Sequence, residues 1–193
     1  MTDFLTNYRD SLGHSIQTLP LDRVQQMIDV FTEARDHGRR IFTCGNGGSA
    51  STAAHFVCDV VKGASYGREA RFKIMCLSDN QATLTAYSND VGYEVALVEP
   101  LKNFAEPGDV LVAISGSGNS PNVVNATEWA NAAGLTTIGL TGRDGGRLGR
   151  AVQLEVNVPN PHMGRIEDAH HAICHMVAYW FMEQAGGPPV CGP

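Results

Sequence analysis

No run of the 193 residues is long and apolar enough to read as a membrane span, and no CxxC pair occurs in the chain. Cations are scarce: 14 Lys and Arg stand against 20 Asp and Glu, a net charge of -6, so general attraction to nucleic acid or to an anionic membrane is not expected. An anionic ligand therefore needs a local cradle. Aromatic residues make up 7% and charged residues 18% against 43% hydrophobic, which excludes disordered, collagen-like and coiled-coil compositions. The five cysteines, Cys44, Cys58, Cys76, Cys174 and Cys191, are odd in number, scattered and mostly inside apolar runs, as expected of reduced, buried thiols. The opening stretch MTDFLTNYRDSLGHSIQTL mixes charges into a helical pattern, so neither a signal peptide nor a span is expected there. Together these absences predict a soluble, cytoplasmic chain with no membrane partner and no direct nucleic-acid partner. A domain of this size buries about 70% of its unfolded surface, so a bound metal would serve chemistry rather than folding.

What is present is a change of texture at Gly38. Before it, Phe4, Tyr8, Leu12 and Ile16 recur every fourth residue, and Leu21, Val24, Met27, Ile28 and Phe31 line one face of a second helix, with Pro20 between them. After it, short apolar runs end in Gly, Ser or Asp and are followed by longer helical stretches, the pattern of parallel strands with helical crossovers. The spacing predicts strands at 40–44, 72–77, 109–114, 136–140 and 152–156. Helices are expected to begin near Ser49, Asn80, Tyr93, Pro121 and Arg147, and a long final one to run from about Gly164 to Gln184. The expected fold class is α/β: a five-stranded parallel doubly wound sheet of flavodoxin-like order, with an N-terminal helical hairpin and a long C-terminal helix. Residues 1–186 form one domain in this reading, with helices over 1–38 and the α/β core and last helix over 39–186, and 187–193 form a flexible tail.

Two loops look built for an anion. The first strand runs into Cys44-Gly45-Asn46-Gly47-Gly48-Ser49-Ala50-Ser51, where small residues let the backbone approach a ligand at a helix N-terminus. These letters also satisfy the GxGxxA dinucleotide fingerprint, but the nearest acidic residue at the end of the second strand, Asp79, lies too far along to serve a ribose, so no nucleotide cofactor is expected. The third strand ends in Ser115-Gly116-Ser117-Gly118-Asn119-Ser120-Pro121, with three hydroxyls and two glycines before a helix opened by proline. Hydroxyls and backbone amides can surround a phosphate dianion without many cations, although a Ser/Gly turn that merely caps a helix has the same letters. A third punctuated turn, Thr141-Gly142-Arg143-Asp144-Gly145-Gly146, either joins the same rim or is a plain strand-to-helix connection.

Four of the seven histidines fall between His162 and His175. Glu167, His171 and His175 form an i, i+4, i+8 stripe, and His55 and Asp59 share one face of an earlier helix. Such groups suit general acid and base chemistry near neutral pH or a zinc-like divalent ion, and a solvated polar helix face gives the same spacing.

Taken in order, GNGGSA with AAHF, AYSNDVGYE, GDVLVAISGSGNSPNV, TIGLTGRDGG and RIEDAHHAICH make the chain resemble the sugar isomerase (SIS) domain family, and within it the phosphoheptose isomerase branch. The resemblance implies a single SIS domain, an aldose-ketose isomerase converting sedoheptulose 7-phosphate to D-glycero-D-manno-heptose 7-phosphate through an enediol, and a homotetramer with active sites shared between subunits. It implies sugar or phosphate contacts from Asn46, Gly47, Ser49, Asp90, Ser115, Ser117 and Ser120. On this resemblance the catalytic residues expected are Asp59 or Glu167 as the base and His175 as the partner acid, with a zinc ion held by His55, Asp59, Glu167 and His175. Asp59 stands where the isomerases carry a glutamate, Glu167 where they carry a glutamine, and Gly116 where threonine is common. The resemblance also admits a non-catalytic SIS module that binds a phosphosugar or a replication initiator protein.

Overall fold

The computed structural model describes residues 2–184; the expectations for the tail and for Cys191 fall outside them. Helix α1 (Thr2–Gln17) and helix α2 (Leu21–Asp36) are separated at Pro20, whose carbonyl accepts the first bonds of α2 from Arg23 and Val24. Strand β1 (Arg40–Cys44) leads into α3 (Gly48–Cys58), which continues as one π-helical turn over Asp59–Gly63 before β2 (Lys73–Cys76). There follow α4 (Gln81–Asp90), a 3₁₀ turn (Tyr93–Val95), α5 (Val98–Phe104), β3 (Val110–Ser115), α6 (Pro121–Ala132), β4 (Thr136–Gly142), α7 (Gly146–Ala151), β5 (Leu154–Val158) and α8 (Met163–Gln184).

The strands form one parallel sheet in the order β2-β1-β3-β4-β5, the flavodoxin-like order expected from the sequence. Alternate residues of each central strand feed opposite faces, as a two-residue period demands. Ile41, Val110, Val112 and Ile114 join α2, α3 and α8 in one core layer with Phe31, Phe56 and Phe181. Phe42, Leu111 and Ala113 join α5 and α6 in the other, with Leu97, Leu101 and Val123. The order reverses between β1 and β3, so their carboxyl ends open a crevice where loops from both strands face one ligand position.

Several local expectations shift. The last strand begins at Leu154 rather than at residue 152, because Val152 packs onto Gly139 of β4, where a Cβ would lie 3.0 Å from both Val152 methyls. The helix expected from Tyr93 is a single 3₁₀ turn, and α5 starts only at Val98. Cys44, Cys76 and Cys174 are buried, but Cys58 is exposed at the last turn of α3. Phe4 of the first apolar stripe is also exposed, because α1 meets α8 with a different set of groups: Tyr8 donates to Asp168 Oδ2 at 2.6 Å, and the Arg165 guanidinium lies 5.1 Å from the Tyr8 ring. Among the described residues no helix is long and apolar enough to cross a membrane.

Helix α8 is pinned to the sheet by His170. Its ring is 1% exposed, and Nε2 donates to the carbonyl of Thr141 in β4 at 2.8 Å, which leaves Nδ1 deprotonated and without a partner. Burial pushes the pKa down to about 4, against a partial upward pull from the Thr141 carbonyl. Between about pH 6.5 and 4 the unfolded chain binds a proton here that the folded chain refuses, so stability is full above this window and falls with pH through it, by about 3 kcal/mol. Urea unfolding of the wild type and of His170→Gln from pH 7 to 4 measures this: the wild type is expected to lose that much more than the variant, and parallel profiles would remove His170 from the acid sensitivity.

Candidate functional site

The crevice between β1 and β3 is lined by the two glycine and serine loops. Gly45 has no room for a side chain, since a Cβ would lie 2.7 Å from the Ser49 backbone, and Gly47 takes φ +52 at the entry to α3. The chain thus turns tightly from β1 and presents the first amides of α3 to the crevice. After β3, Gly118 takes φ +64, and a Cβ there would collide with the Gly145 carbonyl. That close approach brings the Ser115, Ser117 and Ser120 hydroxyls together: Ser115 Oγ lies 3.4 Å from each of the other two. Ser49 is 6% exposed across the same hollow. Clustered hydroxyls and free helix-start amides, with no cation among the lining groups and the Glu167 carboxylate on one wall, make a cation-free cradle suited to a small anion.

The two loops are tied by a pair of side-chain amides, of which the sequence reading singled out only Asn46. Asn46 and Asn122 each donate Nδ2 to the other's Oδ1 at 2.8 Å, and Tyr93 donates to Asn46 Oδ1 at 2.7 Å. Asn122 is 1% exposed and its Oδ1 also accepts from the Val123 amide. In sequence it looks like any polar residue in the first turn of a helix; only the partner across the crevice distinguishes it. The third punctuated turn lies under the cradle rather than on its rim: Leu148 N donates to the Gly118 carbonyl and Arg147 N to Asn119 Oδ1.

A second cluster forms where α3 crosses α8. His55 Nε2 lies 3.1 Å from His175 Nε2, and Asp59 Oδ2 lies 3.2 Å from the first and 3.5 Å from the second. The Asp59 oxygen is buried yet receives no aligned hydrogen bond. The π turn that starts at Asp59 continues against α8, where Gly63 leaves room for the tip of the Met182 side chain. His171 stacks beside the pair, 4.5 Å from the His55 ring and 4.6 Å from the His175 ring. Burial, then the neighbouring His55 and His175, hold its pKa below the usual histidine value.

Three lone-pair atoms within 3.1–3.5 Å of one another, with one orphaned carboxylate oxygen among them, match the separations of about 3.3–3.5 Å between ligands of a tetrahedral zinc ion. His55, Asp59 and His175 therefore fit a borderline cation that accepts nitrogen and oxygen. Glu167 does not join them. Its carboxylate sits against Gly48 at the start of α3, where a Cβ would lie 2.7 Å from Oε1, and it lines the serine cradle instead. Asp90 is exposed at the end of α4, bonded by Asn89, and faces a separate hollow with Tyr87 and Asn103. Gly116 leaves space that Met163 fills, since a Cβ there would lie 2.5 Å from the methionine sulfur.

Residues 3–142, carrying both cradle loops, match the family model of the SIS domain. The chain belongs to the SIS domain family. It is 35% identical over 177 residues to the phosphoheptose isomerase of Aliarcobacter butzleri, covering 88% of this chain and 91% of that one. It is 38% identical over 141 residues to the phosphoheptose isomerase of Mycobacterium tuberculosis, covering 73% and 71%. Its structure superposes on phosphoheptose isomerase GmhA from Neisseria gonorrhoeae with a TM-score of 0.86 at 27% identity, over 93% of this chain and 97% of that one. In this SIS domain the amide pair should be testable apart from the chemistry. Asn122→Ala strips Asn46 and the Val123 amide of a buried partner, so urea unfolding is expected to show a loss of about 1–3 kcal/mol. Calorimetry should show several-fold weaker binding of a phosphate monoester, and unchanged values for both would mean that the pair does not hold the crevice.

Proposed function

We propose that this SIS domain protein is a phosphoheptose isomerase, converting sedoheptulose 7-phosphate to D-glycero-D-manno-heptose 7-phosphate. The observation that carries the reading is that one face of α8 links the two clusters: Glu167 lines the anion cradle and His175, two turns on, meets His55 and Asp59. Eight helical residues span about 12 Å. From the phosphorus to the terminal carbon of an extended heptose phosphate is eight bonds, roughly 9–10 Å at the rise of an extended chain. A seven-carbon chain gripped by its phosphate thus brings its reacting carbons to Asp59 and His175. The names of the similar proteins support the same substrate.

In this mechanism Ser49, Ser115, Ser117 and Ser120, with Asn46 and the Gly47 turn, hold the phosphate and align the chain. Asp59 takes the proton from C1 of the ketose while His175 gives one to the carbonyl oxygen on C2, leaving a neutral enediol. Asp59 then returns a proton to C2 as His175 removes the one on the C1 oxygen, and the aldehyde forms. Of the two base candidates, the 3.5 Å separation from His175 supports Asp59, and the seat of Glu167 against Gly48 supports a role for it at the phosphate end. Asp59 Oδ2 faces the imidazoles, so Oδ1 carries the migrating proton. A zinc-like ion on His55, Asp59 and His175 would supply Lewis-acid polarisation of the sugar oxygens. His175 Nε2 serves one duty at a time, ion or proton.

Assembly as a homotetramer is part of the proposal. Phe4 and Leu5 on α1 and Met176, Tyr179 and Trp180 on α8 are exposed in the single chain, and helix faces of this kind support burial between copies. Asp90, which faces away from its own cradle, then serves a neighbouring site. A cytoplasmic location accords with a phosphorylated metabolite as substrate.

The test is incubation with sedoheptulose 7-phosphate in deuterated water, metal-free and zinc-loaded, followed by NMR. Aldose carrying deuterium at C2 is expected; binding without exchange would overturn the isomerase reading in favour of a phosphosugar-binding module. Asp59→Asn and His175→Ala should each lower kcat by about 10²–10⁴-fold while phosphate affinity stays within about threefold, and unchanged turnover would remove the residue from the chemistry.

A further inference from the structure

We infer that His171 is a metal ligand, so that the cation centre of this chain is built from three imidazoles and one carboxylate, His55, Asp59, His171 and His175, on two helices of a single subunit. The inference rests on the reading of His55, Asp59 and His175 as a cation site and extends it. It departs from the ligand set that the family resemblance implies, in which the residue at Glu167 supplies the fourth group.

The geometry favours His171 over Glu167 in three ways. The ligand atoms of His55, His171 and His175 all lie within 4.8 Å of one another. The His171 ring is equidistant from the other two, 4.5 Å from one and 4.6 Å from the other, so it occupies the remaining corner beside the His55, Asp59 and His175 triangle. Glu167 lies one turn further along α8, about 6 Å away in axial rise, with its carboxylate seated on Gly48. Moving it to the cluster would empty the place it fills at the start of α3.

The arrangement also has an internal symmetry that chelation uses. His171 and His175 are an i, i+4 pair on α8, facing His55 and Asp59, an i, i+4 pair on α3. Each pair presents two donors from one helix face, and two facing pairs close around a single point, the way helix pairs build metal sites in bundle cores. Nitrogen-rich donors select a late divalent ion such as Zn²⁺ or Co²⁺ over Mg²⁺ or Ca²⁺. With three neutral imidazoles and one carboxylate, the loaded centre keeps a net positive charge of one, whereas a Glu167 ligand in place of His171 would neutralise it.

Titration of the full-length protein with Co²⁺, followed by visible ligand-field absorption and by competition with a chelator, tests this without reading activity. The wild type is expected to bind one Co²⁺ per chain with a tetrahedral spectrum. His171→Ala should weaken binding by at least about 10–100-fold, the range that even outer-shell changes produce, and alter the spectrum. Glu167→Gln should leave affinity within about twofold and the spectrum unchanged. The reverse pattern, with Glu167→Gln weakening binding and His171→Ala silent, would overturn the assignment. Binding of inorganic phosphate by His171→Ala reports that the cradle is still folded. Should that variant fail to fold, X-ray absorption of the zinc-loaded wild type decides the matter: three imidazoles support the assignment and two overturn it. A wild type that binds no Co²⁺ would overturn the cation site as a whole, yet leave the deuterium-exchange result for the isomerase reading standing on its own.

Discussion

The packing of α8 across α3 is the contact on which the site depends. Beneath it Phe31, Phe56, Phe72 and Phe181 form a chain of ring contacts 4.8–6.2 Å apart, so the two helices rest on one hydrophobic floor. Above it the polar faces confront each other, and the groups that meet there cannot all be satisfied by the protein itself. The His55 and His175 Nε2 atoms lie within hydrogen-bonding distance of each other, and the buried Asp59 oxygen beside them lacks a donor. A fold tolerates such a defect where a ligand, a proton or an ion completes it. The same two helices supply the rest of the crevice: α3 gives its first amides to the anion cradle, and α8 begins with Met163 and Glu167 on the cradle's other wall.

The sheet belongs to the part of the structure that can be read from the chain directly. Residues 40–44 and 110–114 are short apolar runs bounded by charged and small residues, and their alternation needs no tertiary information to assign. The flavodoxin-like order was expected because it is a common arrangement for five strands joined by helical crossovers, and the favoured hand of each crossover then sets the face on which its helix lies. The serine and glycine loops were legible for a similar reason, since the conformations they require restrict the residues that can occupy them.

What local spacing could not convey was the meeting of distant faces. The stripe Glu167, His171 and His175 is continuous in sequence, but it serves two different clusters, and the division falls where α3 begins and where it ends. Asn122 and Asn46 are 76 positions apart and find each other only after the sheet reverses its order. The π turn at Asp59 left no mark on the letters either; Gly63 within it meets Met182, a contact between residues on different helices. The exposed apolar groups of α1 point the same way, for the spacing of Phe4 in the sequence did not tell that it stays uncovered in the folded chain.

On the proposed reading, the lack of any cation in the cradle has a kinetic meaning. An acidic protein holds back a phosphorylated sugar at long range, and the hydroxyls and amides that finally grip it act only at contact. Capture is then slowed by the electric field of the whole molecule and hastened as salt screens that field, the opposite of what a lysine-lined pocket would show. The grip itself is made of short, shielded dipoles and changes little with ionic strength. Such a binding place works best where the metabolite is plentiful, and it spares the cell an enzyme clogged by every passing polyanion.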